Sequence, residues 1–335
     1  MVTSDFAPME AKLVAKLPAD PGWQFEPKWD GFRCIAYRHD DDIRLQSKSG
    51  KPLTRYFPEV FAFLRALKTT SFILDGELVI ASEGVLSFEA LQARLHPATS
   101  RVLKLSRETP ALFIAFDYLG DEDRMLAGQP LAQRRTALEA LVAREAAPSL
   151  LLSPCSHDLT QATKWLAASG GALDGVVAKR LDEPYRPGKR AMLKVKRIRT
   201  ADCIVAGFRH ATGSTKIGSL LLGLYNDEGL IDHVGFTSAI KADTQAELVA
   251  KLAPCLGGSG FTGKAPGGPS RWATERSAEW TPLAPELVVE VTYDQVTAHR
   301  FRHGTSILRW RPDKAATQCT MDQLHHALRP ADLEL

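Results

Sequence analysis

The sequence predicts an α+β domain followed by a small all-β barrel domain, and three observations carry that expectation. The chain has 335 residues, more than one ordinary core of about 100–200 residues accommodates, so two domains are expected. Up to Thr200 it mixes strand-like alternation with amphipathic helical stretches, and from Ala201 onward it turns to short strands. Its composition, 44% hydrophobic and 24% charged, excludes a disordered, collagen-like or fibrous chain and supplies enough apolar side chains for real cores.

In chain order, the strand-like runs of the first part are Phe32 to Tyr37, Phe72 to Ile80, Leu112 to Tyr118, Gly175 to Lys179 and Met192 to Lys196. Helical periodicity covers Phe57 to Leu67, Leu131 to Val142 and Leu159 to Ala168. The second part offers strands at Cys203 to Phe208, Ser219 to Tyr225, Leu230 to Phe236 and Leu287 to Thr292, with one helical interval at Gln245 to Leu252. A Greek-key barrel fits that pattern. Gly257 to Pro269, rich in Gly, Ser and Pro, reads as a long exposed loop within the second domain. Thr200 and Ala201, after the basic run Lys194 to Arg199, are the expected hinge.

The formal charge is +3, and the excess lies before Ala201, where 29 basic residues face 24 acidic ones. Five widely spaced cysteines (Cys34, Cys155, Cys203, Cys255, Cys319) with no C-x-x-C pair indicate buried, inert thiols, not a disulfide framework or zinc knuckle. No apolar run reaches the ~18–20 residues of a membrane span. Asp5, Glu10, Lys12 and Lys16 interrupt the stretch where a secretory signal would be apolar, so the expected setting is the cytoplasm.

The segment Glu26-Pro27-Lys28-Trp29-Asp30-Gly31-Phe32-Arg33 sets a lysine after a short strand and before an Asp-Gly turn. Lysine attacks only as the free amine, so a nucleophilic lysine calls for desolvation or neighbouring cations. Lys194 and Lys196 alternate on one strand and share a face, with Val195 on the other, and they would supply those cations. Further segments follow in order: Leu74-Asp75-Gly76-Glu77-Leu78, Phe113 to Leu119, Asp174-Gly175-Val176-Val177-Ala178-Lys179, Leu193-Lys194-Val195-Lys196, and Arg309-Trp310-Arg311-Pro312-Asp313-Lys314.

This ordered series resembles the covalent nucleotidyltransferases, specifically the ATP-dependent DNA ligases of the small bacterial type, over nearly the whole chain. The resemblance implies a nucleotidyltransferase (adenylation) domain at 1–200 and an OB-fold domain at 201–335. It implies an enzyme that seals nicks in duplex DNA through lysyl-AMP and an adenylated 5′-phosphate, in DNA repair. ATP is the implied cofactor, with Mg²⁺ or Mn²⁺. Nicked duplex DNA is the implied partner of a monomer that works in the cytoplasm at the nucleoid.

Residue by residue, Lys28 resembles the lysine that takes AMP, Glu26 the reader of the adenine amino group, and Arg33 the contact to ribose and later to the nick. Phe116 resembles the aromatic stacked on adenine. Glu77 and Asp174 resemble the acids that hold the ribose and a divalent cation, although many relatives carry glutamate at the position of Asp174. Lys194 and Lys196 resemble the pair that grips the α-phosphate. Arg311 and Lys314 resemble the Arg-x-Asp-Lys element that orients the departing pyrophosphate, with Asp313 as an orienting partner. Lys48 stands where relatives usually have arginine against the nick 5′-phosphate, and Lys189 and Arg190, in the basic loop before the lysine strand, are further candidate phosphate contacts.

Two features invite a different reading. Gly258 to Lys264 spells most of a P-loop, but Ala265 stands where the magnesium-binding Ser or Thr belongs. His325-His326 lack partner ligands and are expected at the surface. The competing activities are an RNA ligase or GTP-dependent capping-type transferase on the same scaffold, and a non-catalytic OB-fold nucleic-acid binder.

Overall fold

The computed structural model describes residues 6–82, 85–121, 124–169, 173–197, 199–238, 240, 244–267, 279–297 and 299–324. The chain divides into two compact units between Arg197 and Ile198. The expected hinge moves accordingly: Thr200 and Ala201 are paired with Thr292 and Val291 inside a strand, where backbone hydrogen bonds hold them. His325 and His326 lie outside the described residues.

The first unit contains two sheets. One has the order β1 (Glu10–Leu13), β10 (Arg190–Val195), β9 (Leu173–Arg180), β2 (Trp23–Trp29). The other runs β4 (Asp42–Ser47), β3 (Phe32–His39), β5 (Ser71–Ser82), β7 (Ala111–Gly120), β8 (Leu150–Leu152), with β6 (Val85–Leu86) on β5. Helix α1 (Pro58–Ala66) starts at a proline, whose missing N–H costs nothing in a first turn. Helix α4 (Leu131–Glu145) buries Leu131, Leu138 and Leu141, at i, i+7 and i+10, and α5 (Leu159–Ala167) buries Ala162 and Trp165. Helices α2 (Phe88–Arg94) and α3 (Thr99–Glu108) were not expected. Both are short, and Arg94, fully buried on Glu59 at 2.6 Å, replaces the apolar signal that would have marked α2.

The second unit is a barrel. β11 (Arg199–His210), β12 (Ile217–Tyr225), β13 (Ile231–Thr237), β15 (Val288–Tyr293) and β18 (Ser306–Trp310) stand in the order β13-β12-β11-β15-β18. β14 (Thr281–Pro282) adds to β11, and β16 (Val296–Thr297) pairs with β17 (Arg300–Phe301). The two outer strands meet in parallel at Thr237 and Thr305, where Thr305 N–H donates to Phe236 O at 3.2 Å. That contact closes the five-stranded OB-type barrel, with helix α6 (Gln245–Leu252) inserted after its third strand. Leu220, Leu221, Leu222, Val234 and Val289 are wholly buried in its core.

Two expectations need correcting. The Gly-rich loop is not simply exposed: Phe261 is buried, and the N–H groups of Gly260 and Gly263 donate to Leu283 O and Ile231 O. Lys264 N–H donates to Asp232 Oδ1 at 2.6 Å, so the P-loop-like stretch has spent on its own barrel the donors a phosphate would need. All five cysteines are free, but Cys155 is only partly buried.

Candidate active site

Strand β2 carries Lys28 at a break in its pairing. The register runs Glu26 to Val177 and Pro27 to Val176, then jumps to Trp29 and Leu173, so Lys28 faces Asp174 and Gly175 across a bulge. Gly175 has φ +134°, and a Cβ there would lie 2.1 Å from Val195 O. Glycine alone lets β9 come that close to the end of β10. The result is a convergence: Lys28 Nζ donates to Asp174 Oδ2 at 2.5 Å, and Lys196 Nζ lies 3.0 Å from the same oxygen. Lys194 lies on β10, which ends at Val195, so Lys196 stands just past the strand expected to carry both; the pKa of Lys194 is lowered by partial burial and by the neighbouring Lys28, Lys196 and Lys48. The cations expected around Lys28 are present, together with a carboxylate that shares two of them.

Arg33 is clamped from several sides. Its Nε and Nη2 donate to the two oxygens of fully buried Asp75, each at 2.6 Å, and Nη2 also reaches Met9 O at 3.2 Å. Tyr185 Oη donates to Asp75 Oδ2 at 2.6 Å and accepts Met9 N–H at 2.8 Å. The guanidinium lies over the Phe116 ring, 4.6 Å from its centroid, and Lys179 Nζ lies 4.7 Å from that centroid. Glu77 pairs with Arg33 across the strands, and burial, reinforced by Asp30 and Asp75, pushes its carboxyl up to about 7 against the pull of Arg33 and Lys28.

Glu26 is buried, and both its oxygens are occupied, by Lys179 Nζ and Gln24 Nε2 at 2.8 Å each. Among the expected DNA contacts, Lys48 and Arg190 come together on Glu10, at 3.6 and 3.7 Å, and Lys189 is exposed beside them. Arg311 and Lys314 belong to the second unit, where both bind Asp202. Asp313 takes the other edge of Arg311 at 2.9 Å.

Asp75, Tyr185, Gln24, Lys179 and Asp202 were missed by sequence reasoning. Four of them had a signal: Asp75 shares a strand face with Glu77, β2–β9 pairing sets Gln24 opposite Lys179, and Asp202 is a charge in an otherwise apolar run.

Comparison with known proteins gives the family. A family model described as the ATP dependent DNA ligase domain matches residues 7–196, and one described as the ATP dependent DNA ligase C terminal region matches residues 213–314. DNA ligase C1 of Mycolicibacterium smegmatis is 45% identical over 328 residues, covering 95% of this chain and 93% of that protein. DNA ligase C of Mycobacterium tuberculosis is 42% identical over 339 residues, covering 96% and 94%. A solved Lig E DNA ligase aligns over 90% of this chain and all of its own with a TM-score of 0.56 at 19% identity, a likeness of fold. The class is thus a nucleotidyltransferase domain followed by an OB-fold domain. The chain belongs to the ATP-dependent DNA ligase family and is an enzyme of that kind.

Proposed function

We propose that this ligase seals nicks in duplex DNA in three transfers, and that the convergence of Lys28, Asp174 and Lys196 is where the first occurs. Lys28 Nζ attacks the α-phosphorus of ATP, a P–N bond forms, and pyrophosphate leaves. The proton lost from Nζ has an acceptor in reach, Asp174 Oδ2 at 2.5 Å. AMP then passes to the nick 5′-phosphate, and the 3′-hydroxyl displaces it to join the strand. Lys194 and Lys196 hold the α-phosphate throughout, since in-line phosphoryl transfer asks chiefly for positioning and charge neutralisation.

Phe116 and Glu26 hold the adenine, and Arg33 the ribose. Glu77 and Asp174 would be the residues that hold a divalent cation. Among the described residues no three His, Cys, Asp or Glu side chains gather into a metal cage. A donor set of two carboxylates fits Mg²⁺, which keeps water and phosphate as its other ligands. Bound there, the ion would neutralise phosphate charge. Arg33, Lys48, Lys189 and Arg190 meet DNA phosphates, and Arg311 with Lys314 orients the pyrophosphate. The enzyme acts as a monomer at the nucleoid in the cytoplasm, in repair. Among the described residues no helix is long and apolar enough to cross a membrane.

Incubation with α-labelled ATP and Mg²⁺, followed by denaturing electrophoresis, tests the reading. A labelled, acid-labile adduct is expected on the wild type and none on Lys28→Ala. An adduct that persists in that variant overturns the assignment of the nucleophile.

A further inference from the structure

Strand β11 is apolar over most of its buried stretch: Ala201, Cys203, Ile204, Val205 and Ala206 are each at most 2% exposed. Asp202 interrupts that run. Its backbone is fixed on both sides by one residue, since Asp202 N–H donates to Gln323 Oε1 at 2.9 Å and Gln323 Nε2 donates to Asp202 O at 3.2 Å. Its carboxylate therefore projects from a rigid strand with little freedom of its own.

Two cations meet on it. Arg311 Nη1 donates to both oxygens, at 2.9 and 3.1 Å, and Lys314 Nζ donates to Oδ2 at 2.7 Å. Their backbone is held too, by Arg311 N–H on Val288 O at 2.8 Å and Lys314 N–H on Arg311 O at 3.2 Å. Asp313 completes the clamp on the other edge of the guanidinium, at 2.9 Å from both Nε and Nη2. Arginine and lysine are long, rotamer-rich side chains, and two positive ends this close repel unless an anion lies between them. Asp202 is that anion, and side-chain exposures of 18% for Arg311 and 21% for Lys314 leave both cations reachable.

We propose that Asp202 is a positioning residue for the adenylation step: it holds Arg311 and Lys314 side by side as one two-cation unit, so that both engage the departing pyrophosphate together. The proposal rests on the reading of Arg311 and Lys314 given above. Preorganised charge is worth most where negative charge develops, here on the β-phosphate side as its bond to the α-phosphate breaks. An amide at position 202 would keep the shape but lose the charge, and would turn a donor toward donors.

The test separates reaction steps in the full-length protein. Asp202→Asn is expected to slow self-adenylation by labelled ATP by at least about tenfold, the loss of one charge-assisted contact set. The same variant should seal a nick that already carries AMP on its 5′-phosphate within about twofold of wild type, and melt as wild type does, because Gln323 grips only the backbone. Adding Asp202→Asn to the Arg311→Ala/Lys314→Ala double variant should cost nothing further, since the residue acts only through those two. Self-adenylation at or above the wild-type rate in Asp202→Asn, with Arg311→Ala and Lys314→Ala both impaired, overturns the role of Asp202 and leaves the reading of the cations standing. Wild-type self-adenylation in Arg311→Ala and Lys314→Ala removes that reading itself. Equal loss of both steps with a lowered melting temperature assigns Asp202 to the fold alone.

Discussion

At the scale of single residues, the expected DNA contacts carry a brake. Glu10 lies 3.6 Å from Lys48 and 3.7 Å from Arg190, so each cation faces a carboxylate before it faces a phosphate. Glu10→Gln should therefore tighten binding to nicked duplex severalfold at low salt. The gain should fade as salt rises, since phosphate contacts by Lys and Arg act through counterion release. Fluorescence anisotropy across a salt series measures this, and unchanged affinity at every salt concentration would mean that Lys48 and Arg190 do not meet the backbone. The cationic side of the site was legible because Lys28, Lys194 and Lys196 recur in a fixed order with strand alternation. Its acidic supports were harder to see. Asp75 is wholly buried yet sits beside the more conspicuous Glu77, and Tyr185 reaches it across 110 positions of sequence. Asp202 had one faint signal, a charge inside an otherwise apolar strand.

At the scale of elements, the approach of β9 to β10 depends on one glycine. A side chain at Gly175 would meet Val195 O at 2.1 Å in a backbone region that L residues rarely enter. Gly175→Ala should cost about 2–4 kcal/mol of stability. It should also abolish the lysyl-AMP adduct by separating Lys28 from Asp174 and Lys196; a thermal melt and the labelling gel read the two effects. A variant that melts and labels as wild type does would show that the bulge tolerates a Cβ. Strands such as β3, β5 and β7 were legible because apolar, β-branched and aromatic residues run through them, and the structure buries them on both faces instead of alternately. The expected run Phe72 to Ile80 lies within Ser71–Ser82. The helix at Gln245–Leu252 was found to the residue. β1 carries no such pattern in four residues, and only its parallel pairing with β10 makes it a strand.

At the scale of the molecule, the two units have separate cores, and acid should weaken the second through a single buried imidazole. His233 is 5% exposed, accepts from Arg300 Nη2 at 2.9 Å, and is pushed down to about 3 by burial and by the nearby Arg300 and Arg209. A histidine with a depressed folded-state pKa contributes stability that is complete above its unfolded value near 6.5 and is lost as pH falls toward 3. The loss should reach on the order of 3 kcal/mol by pH 4. Calorimetry from pH 7 to pH 4 should show it. His233→Asn, which keeps an acceptor for Arg300, should flatten the slope; an unchanged slope would place the acid sensitivity elsewhere. The division of the chain was legible as a change of texture near residue 200, while the fine position was not, because Arg199 to His210 form one unbroken strand.

The sheet that holds Lys28 is built from the two ends of the first unit: β1 and β2 come from residues 10–29, and β9 and β10 from residues 173–195. On a ribosome, the lysine emerges long before the strands that give it Asp174 and Lys196. Long-range pairings of this kind form late, after the loop-closure entropy of the intervening chain has been overcome. A nascent or prematurely terminated chain thus carries the proposed nucleophile without its partners. On the roles proposed above, self-adenylation waits for the whole first unit and then for Arg311 and Lys314 of the second, so a half-built ligase should consume no ATP.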